Sequence, residues 1–242
     1  MSCLEIQGLA KTYSDGERRV EALHCIDLAV REGEFVVILG PSGSGKTTLL
    51  QIVAGLERPS AGQVRFHGQP VSGCSRQRTL IFQEYTLFPW LNARDNVAFG
   101  LRMQGRPPAE RHARALEILR WLGLETFAEA YPHQLSGGMQ QRVALARALA
   151  EDPAVLLMDE PFAAVDAIAR ARLQEELRRL QAERPRTVLF VTHSVREALL
   201  LADRIVVLTA RPAEVRLELP VPPALPPAER LGWEEEIMGM LT

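Results

Sequence analysis

The run Gly40-Pro41-Ser42-Gly43-Ser44-Gly45-Lys46-Thr47-Thr48 constrains the chain most, because it follows the apolar stretch Phe35 to Leu39 directly and precedes a helical pattern. It fits G-x-x-x-x-G-K-[ST], in which glycines let backbone N–H groups turn inward around phosphate oxygens. The helix that follows points the positive end of its dipole at the same place. Lys46 is then set to neutralise β and γ phosphates, and Thr47 to offer Mg²⁺ a hydroxyl. A glycine-rich turn that binds nothing is the competing reading, and the strand, lysine and helix together weigh against it.

Further apolar runs at Thr79 to Phe82, Val155 to Met158, Thr187 to Thr192 and Ile205 to Leu208 lack polar alternation. Strands buried on both faces look like this, so a mostly parallel sheet covered by helices is expected, an α/β plan. Helical patterns cover Thr47 to Gly55, Ile168 to Glu183 and Ser194 to Ala202, where Ser194 and Glu197 have capping-box spacing. From Glu84 to Ala150 strand signals vanish, while Ala109 to Leu122 and Gln140 to Ala150 are rich in Ala, Leu and Arg at helical spacing. A helical lobe inserted into the α/β core follows. Leu4 to Leu9 and Val64 to His67 read as strands of a smaller antiparallel edge sheet. The expected plan is one domain over 1–242, with a core of 1–84 and 151–219 and a helical subdomain of 85–150. Five prolines between Pro220 and Pro227 open a C-terminal tail, 220–242.

Composition narrows the function classes. With 242 residues, 47% hydrophobic and 24% charged, the chain is ordinary globular material, and its net charge of -2 gives no footprint for a nucleic-acid backbone. Cys3, Cys25 and Cys74 are odd in number and widely spaced, which fits reduced thiols in a cytoplasm rather than a disulfide framework or zinc knuckle. Met1 to Gly8 carries Glu5 and no basic segment before an apolar stretch, so no secretory leader is expected there. Apolar runs such as Phe35 to Leu39 reach five residues, against about 20 for a spanning helix. If the protein works at a membrane, another chain holds it there.

Two further motifs carry chemistry. Ala154-Val155-Leu156-Leu157-Met158-Asp159-Glu160 is an apolar run ending in two carboxylates, which a buried strand delivers to the C-terminal edge of the sheet. Asp159 is placed to hold Mg²⁺ through water, and Glu160 to act as general base for an attacking water; an acidic strand end capping the next helix is the alternative. Leu135-Ser136-Gly137-Gly138-Met139-Gln140-Gln141-Arg142 precedes a helical stretch. It is either an ordinary turn and cap, or a second anion site built from a hydroxyl, backbone N–H groups and a helix start. Two such helix starts need two phosphates, or one nucleotide shared between two chains.

Together these motifs resemble the nucleotide-binding subunit of ABC transporters, where Leu-Ser-Gly-Gly-x-Gln is the signature and accompanies a P-loop, a glutamine loop, an Asp-Glu pair and a switch histidine. The resemblance runs in family order to about residue 219. It implies a P-loop NTPase (RecA-like) core, ATP and Mg²⁺ as ligands, and ATP hydrolysis. It implies that Gln83, in Phe82-Gln83-Glu84, contacts Mg²⁺ and senses a transmembrane partner, and that His193, in Val191-Thr192-His193, contacts the γ-phosphate. Asp166, in Ala164-Val165-Asp166, becomes the aspartate that crosses the dimer interface. Tyr13, read as lying in an early loop, becomes the aromatic that stacks on adenine. Ser136, Gly137, Gly138 and Gln140 face the nucleotide of a partner chain, although Gln141 beside them also suits a solvated helix face. The Glu175 and Arg179 pair, at i,i+4 spacing, reads as a solvated face over a leucine stripe.

Leu87-Phe88-Pro89-Trp90-Leu91-Asn92 and Asp95-Asn96-Val97-Ala98-Phe99-Gly100-Leu101 are similar to importers of nitrate, taurine and aliphatic sulfonates. Glu160-Pro161-Phe162-Ala163-Ala164-Val165-Asp166-Ala167 points the same way, with Ala163 and Val165 replacing that group's commoner Gly and Leu. The partners implied are a second copy, a transmembrane permease docked on Phe88, Pro89 and Trp90, and, indirectly, an extracytoplasmic substrate-binding protein. The location implied is cytoplasmic and peripheral on the inner face of the membrane, with no nucleic acid expected. A soluble ABC-type ATPase acting on nucleic acid or ribosome is the alternative. A small-molecule kinase would explain the P-loop but leave Leu135 to Arg142 idle.

Overall fold

The computed structural model describes residues 2–16, 18–83, 86–163, 165–222 and 226–241. Of the positions named above, Met1, Glu84 and Ala164 lie outside them, as do parts of the stretches 220–227 and 220–242. Six strands form the main sheet: β3 (Phe35–Leu39), β6 (Arg78–Ile81), β7 (Val155–Asp159), β8 (Thr187–Thr192), β9 (Arg204–Leu208) and β10 (Val215–Pro220). Their order is β10-β9-β3-β8-β7-β6, all parallel except β10, which pairs antiparallel with β9. A second, antiparallel sheet has the order β2-β1-β4-β5, built from β1 (Ser2–Asp15), β2 (Arg18–Arg31), β4 (Ala61–Phe66) and β5 (Gln69–Pro70).

The central strands β3, β7, β8 and β9 are buried on both faces, and their period of two divides the interior into two cores. Val36, Ile38, Leu157, Leu189, Val191 and Val206 pack with the antiparallel sheet and helix α1 (Lys46–Ala54). Phe35, Val37, Leu39, Met158, Phe190 and Val207 pack with the helices on the opposite face. Those are α2 (Ala93–Met103), α3 (Pro108–Trp121) and α4 (Gly137–Ala150), followed by α5 (Ala167–Glu183) and α6 (Val195–Leu201). Strands β6 and β7 are neighbours, so the helices α2 to α4 lie on the connection between two adjacent parallel strands.

Helices α2, α4, α5 and α6 start where the sequence supplies a side-chain acceptor, whereas α1 starts at Gly45 and α3 at Pro107 without one. Asn92 accepts from the Asp95 N–H, Ser136 from Met139, and Asp166 from Ile168 and Ala169. At α6 the expected capping box is half made. Ser194 accepts from the Glu197 N–H, but the Glu197 carboxylate turns away to take the Thr192 hydroxyl at 2.6 Å and the Gln174 amide at 3.2 Å. A buried acid prefers these fixed donors to a half-exposed backbone N–H. The expected Glu175 and Arg179 pair is also replaced: Glu175 takes Arg178 at 2.9 Å, and Arg179 takes Glu183 at 2.7 Å. The C-terminal tail holds a helix that the sequence reading left unassigned, α7 (Pro227–Leu241), which packs on α6 and buries Ile237.

Candidate functional site

The loop between β3 and α1 is held in a shape that only glycine allows at its critical point. Gly45, the residue before α1, has φ 104, and a Cβ there would stand 2.7 Å from the Ala22 carbonyl oxygen. The left-handed turn at Gly45 aims the first N–H groups of α1 into a cleft of about 430 Å³. Tyr13, Lys46, Thr47, Thr48, Gln83 and Glu160 line that cleft with Ser42 and Gly43. The fold thus brings residues from positions 13 to 160 to one cavity. Tyr13 belongs to strand β1, not to an early loop, because its segment pairs with β2 across Val20. Its hydroxyl reaches Thr48 at 3.4 Å, and the Lys11 ammonium sits 4.8 Å from its ring centroid.

Lys46 is buried and donates to the carbonyl oxygens of Gly40 and Pro41, both at 2.8 Å. An ammonium has three donors, so one remains for a ligand in the cleft. Burial pulls the Lys46 pKa down, and the nearby Glu160 and Asp159 carboxylates push it back up. Asp159 ends β7, buried; burial raises its carboxyl above the ordinary value, the nearby Thr47 hydroxyl opposes this, Glu160 adds to it and Lys46 opposes it. Glu160 follows in a left-handed conformation, φ 43, which a non-glycine residue adopts only at a cost of about 1–3 kcal/mol. Its N–H donates to the Val191 carbonyl, and its carboxylate stands 3.0 Å from Nδ1 of His193. The strain at Glu160 is thus spent on turning a carboxylate toward the cleft and the imidazole.

A divalent cation and a phosphate chain fit this donor set. The Ser44 hydroxyl is buried at the centre of the loop with no partner among the described residues, and a Cβ on Gly40 would stand 2.8 Å from it, so the cradle is narrow and short of an acceptor. Thr47, Gln83 and Asp159 offer only oxygen, the hard donors Mg²⁺ takes, and too few to complete six positions without waters or phosphate oxygens.

The remaining assigned residues lie away from the cleft. Ser136 caps α4, with Gly137 and Gly138 in its first turn. Gln140 spends its amide on the carbonyls of Pro132 and Leu135, at 3.0 and 3.1 Å, which fixes the loop before the cap. Gln141 is buried, not on a solvated face, and its Oε1 has no partner among the described residues. Asp166 caps α5 with one oxygen, at 3.1 and 3.0 Å from two N–H groups. Sequence reasoning missed Val20, Ala22 and Arg211, which also line the cleft. It also missed Glu197, whose bond to Thr192 steadies the backbone beside His193.

Comparisons with known proteins speak to the family. The ABC transporter family profile matches residues 23–163. An uncharacterised ABC transporter ATP-binding protein of Methanocaldococcus jannaschii is 48% identical over 98% of this chain and 91% of its own. The nitrate import ATP-binding protein NrtD of a Synechocystis strain is 45% identical over 90% of this chain and 82% of its own. Among solved structures, the dimeric ATP-binding cassette MJ0796 in a post-hydrolysis state with ADP and Pi superposes with a TM-score of 0.82 at 36% identity. That match covers 91% of this chain and all of the other. A phosphate cradle, an acid and imidazole pair and this degree of likeness lead to one conclusion: the chain belongs to the ABC transporter family, as an ATP-binding and ATP-hydrolysing cassette.

Proposed function

We propose that the protein energises import of a small solute such as nitrate, taurine or an aliphatic sulfonate, working as a pair docked on a transmembrane permease at the inner face of the membrane. The observation that carries the ATP half of this reading is the convergence of Lys46, Thr47, Gln83 and Glu160 on one cleft, with His193 hydrogen-bonded to Glu160. Lys46 and the N–H groups of residues 43–48 bind the β and γ phosphates, and Tyr13 stacks on the adenine. Asp159, Thr47 and Gln83 hold Mg²⁺, which when bound neutralises phosphate charge. Glu160 orients a water and takes its proton as it attacks the γ-phosphorus, while His193 donates to the γ-phosphate oxygens. In the pair, Ser136, Gly137 and Gly138 of one copy complete the site of the other, and Gln140 and Asp166 shape that interface. Residues 1–84 and 151–219 act as one nucleotide-binding core, with 85–150 inserted as the helical subdomain.

The docking half rests on the loop after Gln83. Asn96 is fully buried and bonds the backbone of Phe88, Leu91 and Asn92, which fixes the loop while Trp90 stays 70% exposed at its tip. A fixed loop with an exposed aromatic suits a partner surface. No helix among the described residues is long and apolar enough to cross a membrane, in keeping with a subunit that relies on a permease. Uptake of labelled nitrate, taurine or alkanesulfonate into proteoliposomes carrying this chain and its candidate permease tests the reading. ATP-dependent uptake that stops with Lys46→Ala supports it. ATP turnover indifferent to permease and to every one of these solutes removes the import reading while leaving the ATPase intact.

A further inference from the structure

A peptide of a phosphate loop that turns its N–H inward turns its carbonyl away, so the direction of that carbonyl sets the direction of the N–H. The Gly43 carbonyl is held by Arg211, whose Nε and Nη2 both donate to the Gly43 oxygen, at 3.1 and 2.9 Å. The backbone around Arg211 is fixed on both sides. Thr209 bonds Pro212 and Glu214 through its hydroxyl, and Ala213 is buried, its N–H on the Ala22 carbonyl and its own carbonyl taking the His24 N–H. The far side of the peptide that Arg211 grips also leads somewhere. The Ser44 N–H donates to the Pro41 carbonyl at 3.2 Å, and that same carbonyl accepts the Lys46 ammonium at 2.8 Å.

We propose that Arg211 is a positioning residue of the nucleotide loop: by gripping the Gly43 carbonyl it fixes the Gly43–Ser44 peptide, and through the Pro41 carbonyl it sets the place of the Lys46 ammonium for the phosphate chain of a nucleoside triphosphate. This rests on the reading of residues 40–48 as the nucleotide loop. The fork is what matters, since two N–H groups from one rigid plane define the direction of a carbonyl and a single ammonium does not. Gly43 has φ +76, in the left-handed region where glycine is least restricted, and within the loop its peptide is held on the N–H side alone, by the Ser44 bond to Pro41 at 3.2 Å.

The test uses the full chain with MgATP and MgADP. Arg211→Met keeps the aliphatic stem and loses charge and fork; Arg211→Lys keeps the charge and loses the fork. Both are expected to raise KM for MgATP and Kd for MgADP about five-fold, the scale of one net hydrogen bond, with kcat within about two-fold and Tm within about 2 °C. Unchanged KM and Kd in both variants overturn the proposal. So does an Arg211→Lys protein that matches the wild type while Arg211→Met is impaired, because charge alone then suffices. A fall in Tm with unchanged nucleotide affinity likewise assigns Arg211 to packing and overturns it. Lys46→Ala measured in parallel separates the two readings: undiminished MgATP binding there rejects the nucleotide loop itself, whereas its loss beside unaffected Arg211 variants rejects only the role of Arg211.

Discussion

At the scale of single residues, the most informative position is Glu160, because its backbone strain has no evident structural return. A carboxylate forced into a left-handed conformation is maintained where its direction matters more than its cost. Glu160→Gln keeps the shape and removes the base, so MgATP should bind as in the wild type while steady-state hydrolysis falls at least about 100-fold. Turnover assays and nucleotide titration of the purified variant check this, and near-normal turnover removes the assignment. Lys46, Asp159 and Glu160 could be singled out because each sits in a short run whose residue types and flanking strand carry the message locally, whereas Gln83, which by itself reads as a polar strand end, was singled out only through the family resemblance. Arg211 was not, since an Arg-Pro after a strand has no pattern of its own and its partner Gly43 lies 168 positions away. The intrachain duties of Gln140 and Asp166 were equally silent, because a side chain that caps a helix or closes a loop reads the same as one that waits for a partner.

At the scale of elements, the parallel strands could be read because continuous apolar runs have few other uses. The antiparallel strands were harder. β1 pairs with β2 through several register shifts, which break the alternation that would have announced it, and β10 alternates between half-buried and exposed at the sheet edge. α7 follows a proline-rich run and carries no clear stripe, so its packing on α6 is tertiary information. The junction of both sheets depends on Glu34, buried at the start of β3. It accepts from the Arg31 N–H at 2.7 Å and from the Arg204 guanidinium at 3.0 Å, and Arg204 also bonds the Ala29 carbonyl of β2. Burial alone would raise this carboxyl, but the Arg31 and Arg204 bonds outweigh it and hold it below its ordinary value of 4.5. A depressed acid contributes stability that is complete above its unfolded pKa and is lost as pH falls through the folded one. Glu34→Gln should therefore cost about 2 kcal/mol at neutral pH, and the gap from the wild type should close as pH drops below 4.5; urea melts at several pH values check both. For the loop after Gln83, Trp90→Ala should leave Tm within about 2 °C, since the ring is exposed, while weakening association with a permease by about 2 kcal/mol. A large loss of stability in the isolated variant would instead assign the ring to packing.

At the scale of the whole molecule, two anion-ready helix starts stand in one chain, but only the one at Gly45 opens into the cleft that holds Lys46 and Glu160. Ser136 and its glycines add nothing to that cleft from within the same chain, so the proposed head-to-tail pair is what makes use of them. Ser136→Arg should then block hydrolysis at the P-loop of the opposite copy, because a bulky cation would occupy the ground of its γ-phosphate contacts. Lys46→Ala should block the site within its own copy. When the two variants are mixed, a hybrid pair has one site with both defects and one that joins an intact P-loop to an intact signature. Random pairing makes half the pairs hybrid, each with one of two sites whole, so an equal mixture should recover about a quarter of wild-type hydrolysis although each variant alone is inactive. ATP-dependent pairing followed by light scattering, with single-turnover hydrolysis in the same samples, measures both halves of the expectation. If no ratio of the two proteins gives either a pair or a turnover, while the wild type gives both, the shared site is wrong and the N-terminus of α4 is an ordinary capped helix.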